Sequence, residues 1–261
     1  MDINTIYLMK QELERRKIIN PKDVSAVTLR EHGKNFSFEE HLRALIYALL
    51  TNQRRWSDVV PKLPQIDNLF YNYDVSKIFM QNGEYFENGI RNLHCGNISI
   101  KRQMSNLQKN ICTLIKIEEE NGSLDNYVTS KNTDLIVKDI SAGKYKLVGI
   151  GPALAREYLR NVGIDDAKPD LHLKRFMGCH RIGVSRNAEA SESEVLREIS
   201  QISDITGLSK FDIDYIIWCY CADGYGEICT ARPHCDECVI RKYCICLLYT
   251  SDAADDRISV D

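Results

Sequence analysis

Apolar residues recur every three to four positions along most of the chain, which is the period of amphipathic α-helices. In the stretch "SFEEHLRALIYALL" (37–50), Ser37 and Glu40 have the spacing of a capping box, which predicts a helix starting at residue 38. The apolar residues of this stretch share one helical face: Phe38, Leu42, Leu45, Ile46 and Leu49. No alternating β-branched run bounded by turn residues occurs, so strands are not predicted and the fold class is all-α.

Three further stretches have a helical pattern. The stretch "SIKRQMSNLQKNICTLIKIEEE" (99–120) predicts one helix with an apolar face of Ile100, Met104, Leu107, Ile111 and Leu114. The stretch "SESEVLREISQI" (191–202) opens with a second capping box, formed by Ser191 and Glu194. The stretch "FDIDYIIWCYC" (211–221) is too apolar to lie at the surface, so we expect a helix buried beneath whatever follows it.

The composition is that of a globular protein. Of 261 residues, 44% are apolar and 27% charged, and no apolar run is long enough for a transmembrane helix. The opening "MDINTIYLMKQELERRK" lacks the apolar core of a secretory signal. In such a chain the ten cysteines indicate reduced thiols with metal or redox roles rather than disulfides. We therefore expect a cytoplasmic protein.

The last sixteen residues, "CLLYTSDAADDRISVD" (246–261), have no helical or strand period and follow abruptly on a group of cysteines. They are similar to a translated sequencing adapter, so we interpret them as an artefact rather than native sequence, with the true C-terminus beyond Ile245 undetermined. A short disordered tail is the alternative. This segment holds four Asp and one Arg and thus all of the net charge of −3, so residues 1–245 are neutral. Any nucleic-acid binding must then come from local patches and backbone amides.

Four cysteines lie within the stretch "CTARPHCDECVIRKYC" (229–244), namely Cys229, Cys235, Cys238 and Cys244. Thiolates this close in sequence can converge on one metal centre. The spacing alone leaves an iron–sulfur cluster and zinc equally open, with unliganded cysteines as a third alternative. The remaining cysteines before residue 245 are assigned to packing: Cys95, Cys112, Cys179, Cys219 and Cys221.

The stretch "LVGIG" (147–151) separates two predicted helices, "DLIVKDISAGKY" (134–145) and "PALAREYLRNVG" (152–163). Pro152 suits the first position of the second helix and Gly163 its end. The two glycines of the turn let an anion approach the backbone, and the amides that open the second helix point toward it. An ordinary interhelical turn is the alternative; a dinucleotide fingerprint is disfavoured because no strand precedes the turn and a third glycine is missing.

Asp170 lies nineteen residues after the second hairpin glycine, in "KPDLHLKRFMG" (168–178). It follows a proline and precedes an apolar-periodic helix, so the residues alone indicate a helix N-cap.

The hairpin, the "KPDLHLKRF" stretch and the cysteine loop, in this order, resemble the helix-hairpin-helix DNA glycosylases of the endonuclease III type. The resemblance covers roughly residues 35–245. It implies a helical domain at 35–164 that carries the hairpin, and a second at 1–34 plus 165–245 that carries the cysteine loop. It also implies a [4Fe–4S] cluster on the four cysteines, with zinc as the alternative, and duplex DNA with a damaged or mispaired base bound at the cleft between the domains. We further expect a monomer, nucleoid-associated in a prokaryote.

The resemblance also assigns roles to single residues. Gly149, Gly151 and the following amides, including that of Ala153, would grip a DNA phosphate, and Asp170 matches the catalytic carboxylate. Gln53, in "LLTNQRRW", matches a glutamine that fills the gap left by the flipped base, although a solvated helix end explains it equally well. The basic residues near the aspartate and the cysteine loop are candidate phosphate contacts: Lys174, Arg175, Arg241 and Lys242, together with Arg181 and Arg232.

The sequence departs from the family at Ala153, because bifunctional members carry a lysine there. Alanine cannot form the Schiff base of a lyase, so the sequence predicts a monofunctional glycosylase in which Asp170 stabilises the sugar cation and activates water.

The first cysteine spacing is also one residue shorter than in well-known members. The alternatives are a DNA-binding relative without catalysis, a bifunctional enzyme with an unidentified amine, and a zinc-stabilised interaction protein. The base removed is not assigned.

Overall fold

The computed structural model describes residues 1–245, and every regular element in this range is helical. The chain folds into two compact units. We call Val24–Asp166 the hairpin unit, and Met1–Asp23 with the chain from Ala167 onward the cysteine unit. The segment 246–261, interpreted above as an adapter artefact, lies outside the described residues.

The hairpin unit contains eleven α-helices, and all of them except the first bury apolar side chains in a common core. In chain order they are α2 (Ala26–Glu31), α3 (Phe38–Leu50), α4 (Trp56–Val59), α5 (Leu63–Leu69), α6 (Val75–Phe79), α7 (Gly83–Asn92), α8 (Ile100–Ser105), α9 (Leu107–Asn121), α10 (Leu124–Thr129), α11 (Thr133–Ser141) and α12 (Pro152–Asn161), with short 3-10 turns at Val60–Lys62 and Tyr71–Tyr73.

The cysteine unit contains four α-helices around its own core. They are α1 (Asn4–Arg15), α13 (Leu171–Phe176), α14 (Glu192–Thr206) and α15 (Lys210–Cys221), followed by a 3-10 turn at Arg241–Tyr243. Helix α15 is the buried helix predicted from its apolar sequence, and it packs against α1, α13 and α14. Among residues 1–245, no helix is both long and apolar enough to cross a lipid bilayer.

Both predicted capping boxes are confirmed, at Ser37 with Glu40 and at Ser191 with Glu194. The single helix predicted over 99–120 is wrong, because the chain leaves helical geometry at Asn106 and forms α8 and α9 instead. The side chains of Ser105 and Asn106 favour this break. Each donates a hydrogen bond to the backbone carbonyl four residues earlier and so competes with the backbone N–H groups of the helix.

The unit boundary differs from the domain limits drawn from the sequence. The sequence assigned residues 1–34 to the second domain, whereas α2 belongs to the hairpin unit. Arg30 on α2 explains this placement, because its guanidinium donates to the Val162 carbonyl at 2.9 Å and pairs with Asp125. Gly163 also lies so close to the Ala26 carbonyl, with a φ of +80°, that any side chain there would collide with it. These contacts fix α2 on the end of α12.

Candidate active site

The hairpin that joins α11 to α12 has the backbone that the two glycines predicted. Gly149 has a φ of +86°, in the left-handed region that costs a residue with a side chain about 1–2 kcal/mol. Gly151 is the N-cap of α12 in an extended conformation, and Pro152 takes the first helical position. The helices on either side are tied by Arg156 of α12, which donates to the Asp134 carboxylate at 2.6 Å.

Asn110 on α9 holds the hairpin in shape. Its side-chain oxygen accepts the Val148 N–H at 2.7 Å, and its amide nitrogen donates to the Val148 carbonyl at 3.0 Å. Asn110 is fully buried, so both hydrogen bonds are sheltered from water. Sequence reasoning missed this residue, although a polar residue on an otherwise apolar helical face was the available signal.

The second hairpin glycine faces open space. Among residues 1–245, a Cβ built on Gly151 would meet no atom within 4 Å, and no side chain caps the first amides of α12. Ala153, the second residue of this helix, is half-buried. Amides in the first turn of a helix have no acceptor within the helix, so this end can receive an anion such as a phosphate.

The two lysines before the hairpin are both engaged. The Lys144 amine pairs with the Glu120 carboxylate and donates to the Tyr145 hydroxyl at 2.8 Å. The hydrogen bond to Glu120 raises the pKa of Lys144, which keeps its amine protonated. The Lys146 amine donates to the Ser141 carbonyl at 2.6 Å. Neither amine is placed as a free nucleophile.

Gln53 lies in the exposed turn after α3 and has a φ of +52°. A left-handed backbone is uncommon for a residue other than glycine, and such strain is concentrated at functional sites. The end of α3 also adjoins the hairpin, because a Leu49 methyl lies 3.7 Å from the position of a Cβ on Gly149. Gln53 and the hairpin glycines therefore flank the same end of α3.

Asp170 caps α13 with one carboxylate oxygen. Its Oδ1 accepts the His172 N–H at 2.8 Å and the Leu173 N–H at 3.2 Å. Its Oδ2 makes no hydrogen bond within residues 1–245, and the side chain is partly exposed. The N-cap interpretation is thus confirmed, and it leaves one oxygen available for chemistry. His172 packs edge-on against the Trp218 ring, with ring centroids 6.2 Å apart.

The four cysteines of the 229–244 loop line one cavity, together with Arg181 and Arg241. Short backbone turns fold this loop: the Cys238 N–H donates to the Cys235 carbonyl at 3.4 Å, and the Cys244 N–H to the Arg241 carbonyl at 3.0 Å. Within the described residues, no three side chains of His, Cys, Asp or Glu converge tightly enough to hold a single metal ion. The predicted ligands are therefore brought to one cavity with their sulfurs spread around it.

The cavity has a basic character. Arg181 lines it, and the buried Nε of this residue has no hydrogen-bond partner in the part of the chain that the structure describes. A hydrogen bond from the Cys221 thiol, together with the positive charge of Arg181, lowers the pKa of Cys229 to about 7. The unpaired buried donor suits a negatively charged group inside the cavity, and a stabilised thiolate suits a metal ligand.

The predicted basic contacts all lie in the cysteine unit, but in different surroundings. Arg241 is exposed at the rim of the cysteine cavity, and Lys242 is exposed with its amine 4.9 Å from the centre of the Tyr243 ring. Lys174 and Arg175 on α13 are half-buried. Arg175 is close enough to lower the pKa of Cys229, so it also serves the electrostatics of the cavity.

A scan of protein-family models and a search of curated proteins gave no match to the chain. Solved structures do match. The 8-oxoguanine glycosylase/lyase of Methanocaldococcus jannaschii, solved with a 15mer DNA containing 8-oxoguanine, superposes with a TM-score of 0.56 at 19% identity, over 84% of this chain and 95% of that one. The 8-oxoguanine DNA glycosylase of Thermotoga maritima gives a TM-score of 0.55 at 18% identity, over 84% of this chain and 94% of that one.

The chain has the fold of these DNA glycosylases. A second structure of the M. jannaschii 8-oxoguanine DNA glycosylase agrees, with a TM-score of 0.55 at 20% identity over 84% of this chain and 92% of that one. The all-α fold is thereby confirmed, and the resemblance to DNA glycosylases is confirmed at the level of the fold. The roles of the individual site residues remain predictions.

Proposed function

We propose that this chain is a DNA glycosylase that removes a damaged or mispaired base from duplex DNA by hydrolysing its N-glycosidic bond. The observation that carries the proposal is the Asp170 carboxylate, with Oδ1 fixed by two backbone amides and Oδ2 uncommitted. A carboxylate held in this way cannot rotate freely, so the second oxygen has a defined position. Such preorganised charge is what a developing sugar cation requires.

In the reaction, the C1′–N bond of the damaged nucleotide breaks and its electron pair leaves with the base, which takes a proton from solvent. The sugar becomes an oxocarbenium-like cation that Asp170 stabilises. Asp170 then accepts a proton from water as the water oxygen bonds to C1′. The products are the free base and an abasic site, and the carboxylate is regenerated when its proton passes to solvent.

The hairpin unit supplies the grip on DNA in this proposal. The open space at Gly151 and the free amides at the start of α12 would hold one backbone phosphate. Gln53, exposed and in a strained left-handed turn beside the hairpin, would occupy the gap left by the flipped nucleotide. Arg241 and Lys242 are exposed and would contact further phosphates, with Lys174 and Arg175 nearer to the aspartate.

The enzyme is proposed to be monofunctional. Ala153 stands where the bifunctional members of the resembled family carry a lysine. Lys144 and Lys146, the nearest amines in sequence, are bound to Glu120 and to the Ser141 carbonyl. A Schiff base needs a free neutral amine, so these residues do not replace the missing lysine.

A [4Fe–4S] cluster is the cofactor that fits the cysteine cavity better than zinc. Zinc bonds of 2.3 Å in a tetrahedron require sulfurs about 3.8 Å apart, and no set in residues 1–245 converges in that way. In a cluster each cysteine would bind a different iron, which suits four cysteines that line one cavity without converging on a point. The unpaired Arg181 Nε suits the negative charge of such a group. When bound, the cluster would cross-link the loop that presents Arg241.

The function is tested with end-labelled duplexes that each hold one lesion: 8-oxoguanine, a 3-methyladenine analogue, uracil, thymine opposite guanine, or an oxidised pyrimidine. Each duplex is incubated with the wild type and then divided into alkali-treated and untreated halves. Strand breaks that appear only after alkali identify a monofunctional glycosylase and name its base. The breaks should fall roughly 10²- to 10⁴-fold in rate in Asp170→Asn.

Asp170→Asn separates catalysis from capping, because asparagine caps a helix as well as aspartate does but carries no charge. Asp204→Asn, an exposed position on α14, is the matched control and should cleave like the wild type. Breaks without alkali would show that a lyase amine exists. DNA binding without excision of any lesion would favour the second candidate, a catalytically inactive DNA-binding relative, which Ala153 also fits.

The cofactor has its own test in anaerobically purified protein. Broad brown absorbance with about four irons per chain is expected for the cluster. Colourless protein loaded with zinc would overturn the cofactor assignment while leaving the glycosylase assay free to succeed or fail by itself.

A further inference from the structure

Tyr220, in the last turn of α15, touches the cysteine loop at two separate places. Its backbone carbonyl accepts the N–H groups of Ile228 at 3.0 Å and Cys229 at 3.2 Å. Its hydroxyl lies 3.4 Å from the sulfur of Cys238. One fully buried residue thus contacts both the first and the third predicted cluster ligands.

The direction of the hydroxyl proton follows from a third contact. The Val239 N–H donates to the Tyr220 oxygen at 3.2 Å, so this oxygen acts as an acceptor there. A phenol has one proton left to donate, and the Cys238 sulfur is the remaining partner within reach.

We propose that Tyr220 is a positioning residue of the cluster, and that its hydroxyl donates a hydrogen bond to the Cys238 thiolate and thereby raises the reduction potential. This inference rests on the cluster proposed above. A donor at a ligand sulfur stabilises the reduced cluster more than the oxidised one, because reduction adds negative charge to the iron–sulfur core and its thiolates.

An ordinary core tyrosine would make a different prediction. If Tyr220 served packing alone, replacing its hydroxyl by hydrogen would cost stability through the unpaired Val239 N–H but would not change the potential. The midpoint potential of the cluster is therefore the quantity that separates the two roles, and melting temperature is not.

The test compares the wild type with Tyr220→Phe, both as full-length protein reconstituted with iron and sulfide, by protein-film voltammetry. Tyr225→Phe is the matched control, because Tyr225 is a half-buried tyrosine of the same unit that packs on Trp218 instead of a predicted ligand. We expect unchanged iron content and absorbance in all three proteins. The midpoint potential should be lower in Tyr220→Phe alone, and equal potentials in all three would overturn the proposal.

A second variant covers the case in which Tyr220→Phe fails to hold the cluster. Site-specific replacement of Tyr220 by meta-fluorotyrosine keeps the ring and the hydroxyl but makes the proton a stronger donor. The midpoint potential should then rise above that of the wild type, and an unchanged potential would contradict the hydrogen bond. If the wild type itself binds no iron, the cofactor proposal fails and this inference fails with it, whereas the lesion assay still tests the glycosylase.

Discussion

The buried carboxylate of Asp214 accepts the backbone N–H of Lys168 at 2.6 Å. Asp214 lies on α15 and is only 1% exposed. The Lys168 carbonyl in turn accepts the Asp170 N–H at 2.7 Å. The backbone of one residue, Lys168, therefore links the buried aspartate to the proposed catalytic aspartate. Helix α15 thereby fixes the backbone from which the Asp170 carboxylate projects.

This link predicts that Asp214→Leu lowers both stability and turnover. The Lys168 N–H would lose its acceptor, at a cost of about 1–3 kcal/mol in the free energy of unfolding. Displacement of Asp170 should reduce kcat for base excision more than it raises KM, because the hairpin proposed to hold a DNA phosphate is a separate element and only Lys174 and Arg175 lie close to the displaced segment. Asp214→Asn keeps an acceptor oxygen and should recover part of kcat. Chemical denaturation and single-turnover excision check both effects, with Asp212→Leu on the same helix as control; equal losses at the two positions would refute the link.

The same substitution, glycine to alanine, should change the free energy of unfolding at one hairpin glycine but not at the other. Gly149→Ala places a side chain in the left-handed region and should cost about 1–2 kcal/mol of stability. Gly151→Ala adds a methyl group to open space in an extended backbone, so stability should stay within about 0.5 kcal/mol of the wild type.

If Gly151 is kept small so that a phosphate can approach, Gly151→Ala should nevertheless weaken binding to a duplex with an abasic-site analogue. Fluorescence anisotropy at fixed salt measures this affinity, and urea denaturation of the same samples measures stability. Wild-type affinity in Gly151→Ala would count against a phosphate at the hairpin.

Features set by neighbouring residues were predictable from the sequence. The capping boxes, the buried α15 and the hairpin glycines depend on contacts within a few positions, and the structure has each of them. The break at Asn106 is equally local, but the apolar period runs through it unchanged, so periodicity could not reveal it.

The buried side chains that hold the backbone of the site in place were not predictable in the same way. Asn110 contacts Val148 across 38 positions, and Asp214 contacts Lys168 across 46. Nothing in a single sequence says which distant backbone group a polar side chain will meet. The signal that remains is a polar residue within an apolar helical face, as with Asn110 between Leu107 and Ile111. It marks a buried hydrogen bond without naming its partner.

A buried histidine predicts acid sensitivity of the hairpin unit. His41 on α3 is fully buried, and its Nδ1 lies 2.7 Å from the Tyr158 hydroxyl of α12. Burial lowers the pKa of His41 from 6.5 to about 4. The unfolded chain therefore binds a proton on His41 between these pH values and the folded chain does not. The contribution of His41 to stability is complete above pH 6.5 and is lost as the pH falls toward 4.

Urea denaturation between these pH values should show a slope that His41 steepens by at most about 1.4 kcal/mol per pH unit. His41→Gln should be less stable near neutral pH but have a flatter profile. His32→Gln, at an exposed position, is the control and should keep the wild-type slope. A profile in His41→Gln as steep as that of the wild type would mean that other groups cause the acid sensitivity.

The proposed lack of lyase activity predicts a gain of function at Ala153. Ala153→Lys places an amine on the first turn of α12, at the position where bifunctional members of the resembled family carry their lysine. The amine would attack C1′ in place of water, the base would leave, and loss of the ring oxygen from C1′ would form a Schiff base that borohydride reduces to a stable amine. We expect borohydride to trap the variant, but not the wild type, on the duplex that the lesion panel identifies.

The double variant Ala153→Lys with Asp170→Asn should lose trapping, because departure of the base still needs the carboxylate. Trapping of the wild type would show that a different amine serves as nucleophile, and Lys146→Gln would then be examined first, since Lys144 is held by Glu120.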